Sequence, residues 1–326
     1  MITVPVSVVI PTFNSGHLVT QAVESVLTQS VSAAQIIVVD DGSVDDTDHR
    51  LACYRDRIAY IHQVNQGVSA ARNRGIFASR EEYVAFLDAD DVWHPQKLER
   101  QMRVLSQWPE LSVLGTQCFD WPAAQFDELG DVSVNPVSIV RWDKQVIANR
   151  LSTSSNLIRR TVFDRVGYFD TDLQGPEDHD LFTRIAEVYL TANLELPLTG
   201  YRNVPASLSK QAERMELGMR QILKKLDERN AWGNRWLLRR KAQSYVDHSC
   251  AYMYGAAGCY GRAMLRSIRS LVRYPLPYAR DEVQTSMERP KRLAMLASRA
   301  LGQSRSIPDR QMSPVGQPMG FPKPVA

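Results

Sequence analysis

The stretch Val6-Ser7-Val8-Val9-Ile10-Pro11-Thr12-Phe13-Asn14-Ser15 is the one on which the fold turns. Residues 6–10 form a short apolar run without the alternation of a half-exposed strand, and Pro11 ends it. That pattern predicts a strand buried on both faces. A polar loop with capping residues follows, and then Leu18, Ala22 and Val26 recur at helical spacing with Val23 and Leu27 beside them. The unit of strand, loop and helix repeats. Ile36–Val39 ends in Asp40-Asp41-Gly42-Ser43, with a polar helix expected from about Asp45. Ile58–Ile61 leads through Asn65-Gln66-Gly67 to a helix carrying Ala70, Ala71 and Ile76. Tyr83–Leu87 leads through Asp88-Ala89-Asp90-Asp91 to a helix beginning near Pro95, with Leu98, Met102 and Leu105 on one face. Four such units imply an α/β fold whose parallel sheet is covered on both faces. Ligands of such sheets bind outside the carboxyl ends of the strands, where strand order reverses.

Composition bounds the rest. The chain has 326 residues, 44% hydrophobic and 23% charged, which excludes a disordered or collagen-like chain. The net charge of +3 conceals a split: residues 1–209 carry 17 Lys+Arg against 27 Asp+Glu, and residues 210–326 carry 22 against 9. There is no apolar run of membrane-spanning length, and the first residues lack the basic and small-residue marks of a secretory signal. Cys53, Cys118, Cys250 and Cys259 form no CxxC pair, which speaks against a disulfide scaffold or a zinc site and for a reducing cytoplasm.

Past residue 108 the pattern changes. Strands are expected around Ser112–Cys118, Asn156–Ile158 and Asn193–Leu198, with helices over about Thr161–Val166 and Glu177–Tyr189. From Ser209 the chain turns helical. Met215, Met219, Ile222 and Leu226 share a face, and a long helical stretch from about Asn234 to Tyr274 carries Gly255-Ala256-Ala257-Gly258 at a point where it can divide in two. The last residues, 303–326, hold 5 of the 17 prolines and are expected to be a disordered tail.

Three acidic clusters end up where chemistry is expected. In Asp88-Ala89-Asp90, an extended backbone points both carboxylates to one side, and close carboxylates repel unless a cation or hydrogen-bond donors compensate. A hard divalent ion is the natural compensator, since Mg²⁺ takes one or two carboxylates and fills its shell from water and phosphates. Read as local structure, Asp91 caps the next helix. Asp41, after the second strand, can accept from a nucleobase N–H or simply build a turn. Asn65-Gln66-Gly67, with Arg72 and Arg74 further in, offers backbone N–H groups to an anion. The cluster Glu177-Asp178-His179-Asp180 opens a helix, where negative charge suits the dipole, and it can also supply a general base.

Taken in order, Ser7–Asn14, Val38–Ser43, Asn65-Gln66-Gly67 with Ala71–Gly75, and Phe86–Asp91 closely resemble family 2 glycosyltransferases of the GT-A fold. Ser154–Arg160, Val166–Asp170 and Gly175–Leu181 resemble that family's acceptor-side segments. The resemblance covers roughly residues 5–205 and implies a GT-A (Rossmann-like), mostly parallel sheet with helices on both faces, followed by a helical C-terminal extension. It implies a nucleotide-sugar-binding half over 1–108, an acceptor-binding half over 109–208, a helical extension over 209–302 and the tail beyond. By the same resemblance Pro11 and Thr12 line the nucleotide site, Asp41 reads the base, and Arg72 faces the nucleotide. Asp88 holds the ribose or base side, Asp90 binds a divalent metal (Mg²⁺ or Mn²⁺) on the diphosphate, and Asp178 is the catalytic base with Glu177 and His179 on the acceptor side. His179 stands where the family often has an aromatic residue.

The implied enzyme moves a hexosyl or N-acetylhexosaminyl group from a nucleotide-sugar, a UDP-sugar by the commonest pattern, to a saccharide or lipid-linked saccharide, with inversion, in bacterial surface polysaccharide or glycolipid assembly. Two alternatives stand beside it. A nucleotidyltransferase would want a Lys-containing, Gly-rich loop after the first strand, and Pro11–Gly16 has no Lys or Arg and only one Gly. A binding or scaffold protein could keep the fold without activity. Arg262, Arg266, Arg269 and Arg273 make a basic stripe beside an apolar one of Leu265, Ile268 and Val272. Such a helix packs on its own protein or lies peripherally on an anionic membrane. No nucleic-acid module appears.

Overall fold

A computed structural model describes residues 2–121, 136–173, 175–203, 211–279 and 288–300. The expected tail over 303–326 lies outside the described residues. In chain order the elements are β1 (Thr3–Thr12), α1 (Gly16–Leu27), β2 (Ser32–Asp40), α2 (Thr47–Leu51), β3 (Ala59–His62), α3 (Val68–Ala78), β4 (Tyr83–Phe86), β5 (Val92–Trp93), α4 (Lys97–Gln107), β6 (Leu111–Trp121), β7 (Val137–Ile139), α5 (Trp142–Gln145), β8 (Leu157–Arg159), α6 (Val162–Val166), α7 (Glu177–Val188) and β9 (Leu190–Arg202). The helices α8 (Ala212–Glu228), α9 (Trp236–Ala256), α10 (Tyr260–Arg273) and α11 (Glu288–Ala300) follow. Two compact units result. One comprises Met1–Arg141, Leu151–Thr171 and Asp180–Val204; the other comprises Trp142–Arg150, Asp172–His179 and Pro205–Ala326.

The first unit is an α/β fold built on one sheet in the order β3-β2-β1-β4-β8-β6-β9-β5, with β7 also on β9. The long ladders are parallel: β1 with β2, β1 with β4, β2 with β3 and β6 with β9. The short ladders made by β5, β7 and β8 are antiparallel. The central strands alternate between two cores. Val6, Val8, Ile10, Ile36, Val38 and Ala85 pack with Val19, Val23 and Val26 of α1 and Leu98 and Leu105 of α4. Val9, Ile37, Val39, Val84 and Phe86 pack with Ala71 and Ile76 of α3, Phe163 of α6 and Leu181, Phe182 and Ile185 of α7. Both faces are covered, which is why β1 reads as an unbroken apolar run. Phe86 meets Phe163 and Phe169 edge-on at 6.4 and 5.3 Å between ring centres. Each such fully buried ring contributes about 2–3 kcal/mol of apolar transfer. Helix α3 comes so close to β1 that a Cβ on Gly75 would lie 2.2 Å from Val9 Cγ1.

The order places β2 and β3 on one side of β1 and β4 on the other, so strand order reverses at the β1–β4 pair. The carboxyl ends there are Thr12 and the turn after Phe86. That is the crevice position for a ligand.

The second unit is helical. Its core joins Met219, Ile222 and Leu226 of α8 with Ala242, Val246, Cys250 and Met253 of α9, Ala263 of α10 and Leu296 of α11. The long helical stretch divides at Ala257–Cys259, with Gly258 at φ 75°, as its small residues suggest. Much of the basic half's charge is spent within the unit. Arg220 bridges Glu216 and Asp247 at 2.7 and 2.9 Å, Arg266 reaches Glu216 at 2.8 Å, and Arg273 reaches Asp247 at 2.8 Å. Both carboxylates are buried, and buried charges of this kind need such partners. Among the described residues no helix is long and apolar enough to cross a membrane.

Candidate active site

At the carboxyl end of β1, Thr12 pairs in register with Asp40 of β2. Pro11 and Thr12 are buried there. The Thr12 hydroxyl has no hydrogen-bond partner among the described residues, which is costly for a buried polar group and marks a place a ligand can satisfy. Asp40 and Asp41 have different duties. Asp40 accepts from the Ser43 N–H at 2.8 Å and the Tyr60 hydroxyl at 2.5 Å, with His62 Nδ1 at 3.5 Å. Burial alone would raise its pKa, but the bonds from Tyr60, Ser43 and His62 outweigh it and hold the carboxyl below its ordinary value. Asp41 accepts from Gln63 Nε2 at 2.8 Å and from the backbone N–H groups of Gln66 at 2.9 Å and Gly67 at 2.7 Å. The N–H groups that the sequence offers to an external anion therefore face the chain's own carboxylate. Three donors leave about one of the four lone-pair sites of Asp41 for a further donor.

The turn after β4 holds three carboxylates. Arg72, buried on α3, donates to Asp88 Oδ1 at 2.7 Å, and its guanidinium lies 5.3 Å from the centre of the Phe169 ring. Asn73 fixes Phe169 by exchanging hydrogen bonds with its backbone at 2.8 and 2.9 Å. Asp91 is not a helix cap as the local reading has it. It is buried, accepting the Ser154 hydroxyl at 2.6 Å on one oxygen and the Arg202 N–H at 3.1 Å on the other. Asp90 lies between them and is only partly buried. Burial first, and the Asp88 charge second, push its carboxyl up to about 6 against the pull of Arg202 and Arg72. Burial and the charges of Asp90 and Asp88 push Asp91 well above the usual carboxylate range.

Glu177, Asp178 and His179 open α7 and fall in the second unit. Gly175, at φ 141° and with a would-be Cβ 3.1 Å from the Arg214 carbonyl, sets the entry to that helix. Asp178 Oδ2 accepts from Asn149 Nδ2 at 2.8 Å, and its Oδ1 accepts from the His179 N–H at 2.7 Å. The His179 ring is buried with Nε2 2.7 Å from the Gln145 carbonyl. Glu177 and Asp178 are partly exposed.

Comparison with known proteins gives this geometry a family. Residues 7–167 match the family model described as glycosyl transferase family 2. WcaA of Escherichia coli (strain K12), a glycosyl transferase named for colanic acid biosynthesis, is 32% identical over 193 residues, covering 56% of this chain and 67% of WcaA. The chain belongs to glycosyl transferase family 2. An uncharacterized glycosyltransferase of Rickettsia prowazekii is 30% identical over 199 residues, and there the match covers 56% of this chain and 60% of the relative. Among crystal structures, residues 1–349 of Staphylococcus aureus TarS in complex with UDP-GlcNAc superpose with a TM-score of 0.64 at 16% identity, covering 94% of this chain and 95% of that one. The mannosyltransferase PcManGT of Pyrobaculum calidifontis, in complex with GDP-Man and Mn²⁺, gives 0.54 at 18% identity, covering 92% and 86%. These likenesses show the fold, and it is the GT-A fold expected from the sequence.

In this family 2 chain the sequence reading missed the parts that hold the acidic turn. Ser154 also accepts the Asp88 N–H at 3.1 Å, and its carbonyl takes the Trp93 indole N–H at 2.7 Å. Arg202, at the end of β9, donates from Nε to the Asp90 carbonyl at 3.0 Å and from a terminal nitrogen to Gln21 Oε1 at 2.7 Å. Ser154 stands in a quoted motif, but its hydroxyl has no local signature. A divalent ion fits the donor set. Among the described residues no group of three or more His, Cys, Asp or Glu side chains forms an ion cage. The turn instead gives one or two carboxylates, the kind of set that binds an ion together with substrate phosphates.

Proposed function

We propose that this chain transfers a sugar, a hexosyl or N-acetylhexosaminyl group, from a UDP-sugar to a hydroxyl of a saccharide or lipid-linked saccharide, inverting the anomeric centre, in the assembly of surface polysaccharide. The observation that carries it is the carboxylate turn at the switch point, where Asp90 is pushed up to about 6 beside Asp88, Arg72 and Arg202. The UDP-GlcNAc complex of the TarS structure supports the choice of donor, and the name of WcaA supports the setting.

Each residue then has a task. Thr12 offers its hydroxyl to the nucleotide, and Asp41 uses its remaining lone pair on the base. Arg72 orients Asp88 toward the ribose. Asp90 would hold a divalent ion, Mg²⁺ or Mn²⁺, which would supply positive charge to offset that of the leaving diphosphate. Asp178 takes the proton of the acceptor hydroxyl as its oxygen bonds to the anomeric carbon and the bond from that carbon to the diphosphate oxygen breaks. Asn149 and the His179 N–H hold the Asp178 carboxylate in place. One displacement inverts the centre and needs one base.

The test is nucleotide release from UDP-, GDP- and dTDP-sugars, with Mn²⁺ or Mg²⁺ and with chelator. Metal-dependent release from a UDP-sugar is expected. Asp178→Asn should cut transfer by about 10³-fold or more and leave donor affinity within about twofold. Release from none of the donors, or equal loss of binding and transfer in Asp178→Asn, overturns the assignment.

A further inference from the structure

Helix α10 is assembled inside out. Its buried residues are Ala263, Ser267 and Ser270, while Leu265, Ile268 and Val272 are 47%, 45% and 70% exposed. Leu276, just past the helix, extends the row at 53%. Leu265, Ile268 and Val272 fall at i, i+3 and i+7, so they form one stripe along the helix rather than scattered apolar residues, and Leu276 follows beyond the helix end. The orientation is fixed from the inner side. Ser270 bonds Ser244 of α9 through both its carbonyl and its hydroxyl, at 2.8 and 3.0 Å. Arg266 and Arg273 are tied to the buried Glu216 and Asp247. Turning the stripe inward would break both ion pairs and leave the two buried carboxylates to share Arg220 alone, a larger loss than the stripe would gain.

The charge around the stripe selects what covers it. Residues 236–273 hold seven Lys or Arg against the single acid Asp247, which is itself buried and already paired. Arg269 is exposed, sits one turn from both Leu265 and Val272, and makes no ion pair among the described residues. Arg240 is exposed at the carboxyl end of α10, donating to the Arg273 and Val272 carbonyls at 2.8 and 3.4 Å. On the α9 side, Trp236 and Leu237 are 66% and 44% exposed. A second copy of this face would bring like charge against like charge. Residues 301–326, with Arg305, Arg310 and Lys323 against Asp309, are basic as well. An occupant must be apolar within and anionic at its surface.

We infer that the outer face of α10, with the start of α9, docks on the surface of an anionic bilayer: Leu265, Ile268, Val272 and Leu276 enter the acyl boundary, and Arg269 and Arg240 meet lipid phosphates. The row is too short to span and lies in the plane of the interface. Docking of this kind strengthens with anionic lipid and weakens with salt.

The experiment is flotation of the full chain with phosphatidylcholine vesicles, with and without roughly a third phosphatidylglycerol. The anionic vesicles should bind at least about tenfold more tightly than the neutral ones. Leu265→Ser with Ile268→Ser should weaken binding about tenfold, and Arg269→Ala about fivefold. Leu217→Ser removes an equally exposed apolar residue of α8 outside the stripe and should bind as the unaltered chain does. All four positions are exposed, and unchanged far-ultraviolet circular dichroism confirms that each variant folds. Equal binding to both vesicle types, or unchanged binding in the double variant, overturns the inference. So does self-association in sedimentation that the double variant abolishes, without vesicle binding, which would give the face to a second copy.

Discussion

Ser154→Ala tests how the acidic turn is held together. Ser154 is 1% exposed, and its hydroxyl has two partners in the turn. It donates to Asp91 Oδ2 at 2.6 Å and accepts the Asp88 N–H at 3.1 Å. Removing it leaves one oxygen of the buried Asp91 carboxyl group unsatisfied, at about 2 kcal/mol, and strands a backbone N–H at about 1 kcal/mol more. The sum, about 3 kcal/mol, is a large share of the 5–15 kcal/mol typical of a folded domain. Ser155 supplies the internal comparison. It is equally buried, but its hydroxyl donates only to the Ser152 carbonyl at 2.8 Å, so Ser155→Ala should cost about 1 kcal/mol. Urea unfolding of the two variants reads the difference directly. The same loss frees Asp88 and Asp91 from their positions, so donor affinity by calorimetry should fall about tenfold in Ser154→Ala and little in Ser155→Ala. Equal destabilisation by the two substitutions would refute the claim that Ser154 is the post on which the turn is tied.

Gly75→Ala should destabilise the first unit by about 1–2 kcal/mol in thermal unfolding, because a Cβ 2.2 Å from Val9 Cγ1 forces α3 off β1 and outweighs the helix-propensity gain. His248 is buried, and burial first, then Arg292 and Arg289, push its imidazole down to about 3. The unfolded chain takes a proton near 6.5 and the folded one does not, so this contribution is complete above that pH and is lost as pH falls toward 3. Unfolding of the second unit at pH 5 should then show a loss of about 2 kcal/mol relative to pH 7 that His248→Phe abolishes, and a slope unchanged by the substitution would place the acid sensitivity elsewhere. Asp90→Asn should raise the melting temperature of the donor-free chain, by relieving a partly buried charge beside Asp88, while abolishing the effect of Mn²⁺ on donor affinity; a lowered melting temperature would contradict the burden assigned to that charge.

The strands β1, β2 and β4 were legible because each is covered on both faces, so burial writes itself into the chain as uninterrupted apolar residues. Their ends were legible for the same reason: the apolar run stops at polar residues, at Thr12, Asp40 and Asp88. What the sequence hid is the wiring between distant segments. Asp91 meets Ser154 and Arg202, 63 and 111 residues away, and nothing local distinguishes that carboxylate from a helix cap. The loop at Gln66-Gly67 was read as an anion site on sound grounds, since free N–H groups do open α3. The anion turned out to be Asp41, which only the pairing of β2 with β3 brings within reach. Likewise the basic stripe of α10 was legible as a stripe. Which of its sides faces the protein was not, because that depends on Glu216 and Asp247, carboxylates on two other helices.

The acidic front of the chain divides its labour in a way that charge counting cannot reveal. Asp40, Asp41 and Asp91 are nearly saturated by the chain's own donors and hold the ends of β2, β3 and β4 in mutual register. Asp88 and Asp90 keep partial exposure in the same place. A cluster of this many carboxylates cannot be built loosely, because like charges spread apart when unconstrained. Tying three of them into the loops leaves the remaining two, Asp88 and Asp90, close enough that the charge of Asp88 raises the pKa of Asp90. The arginines follow the same logic. Arg72 and Arg202 approach the turn from α3 and β9 and offset its charge without cancelling it, since Asp90 still sits well above its ordinary value. Under the proposed function that residual negative charge is what a divalent cation would meet, and it persists because the structural carboxylates around it are already satisfied.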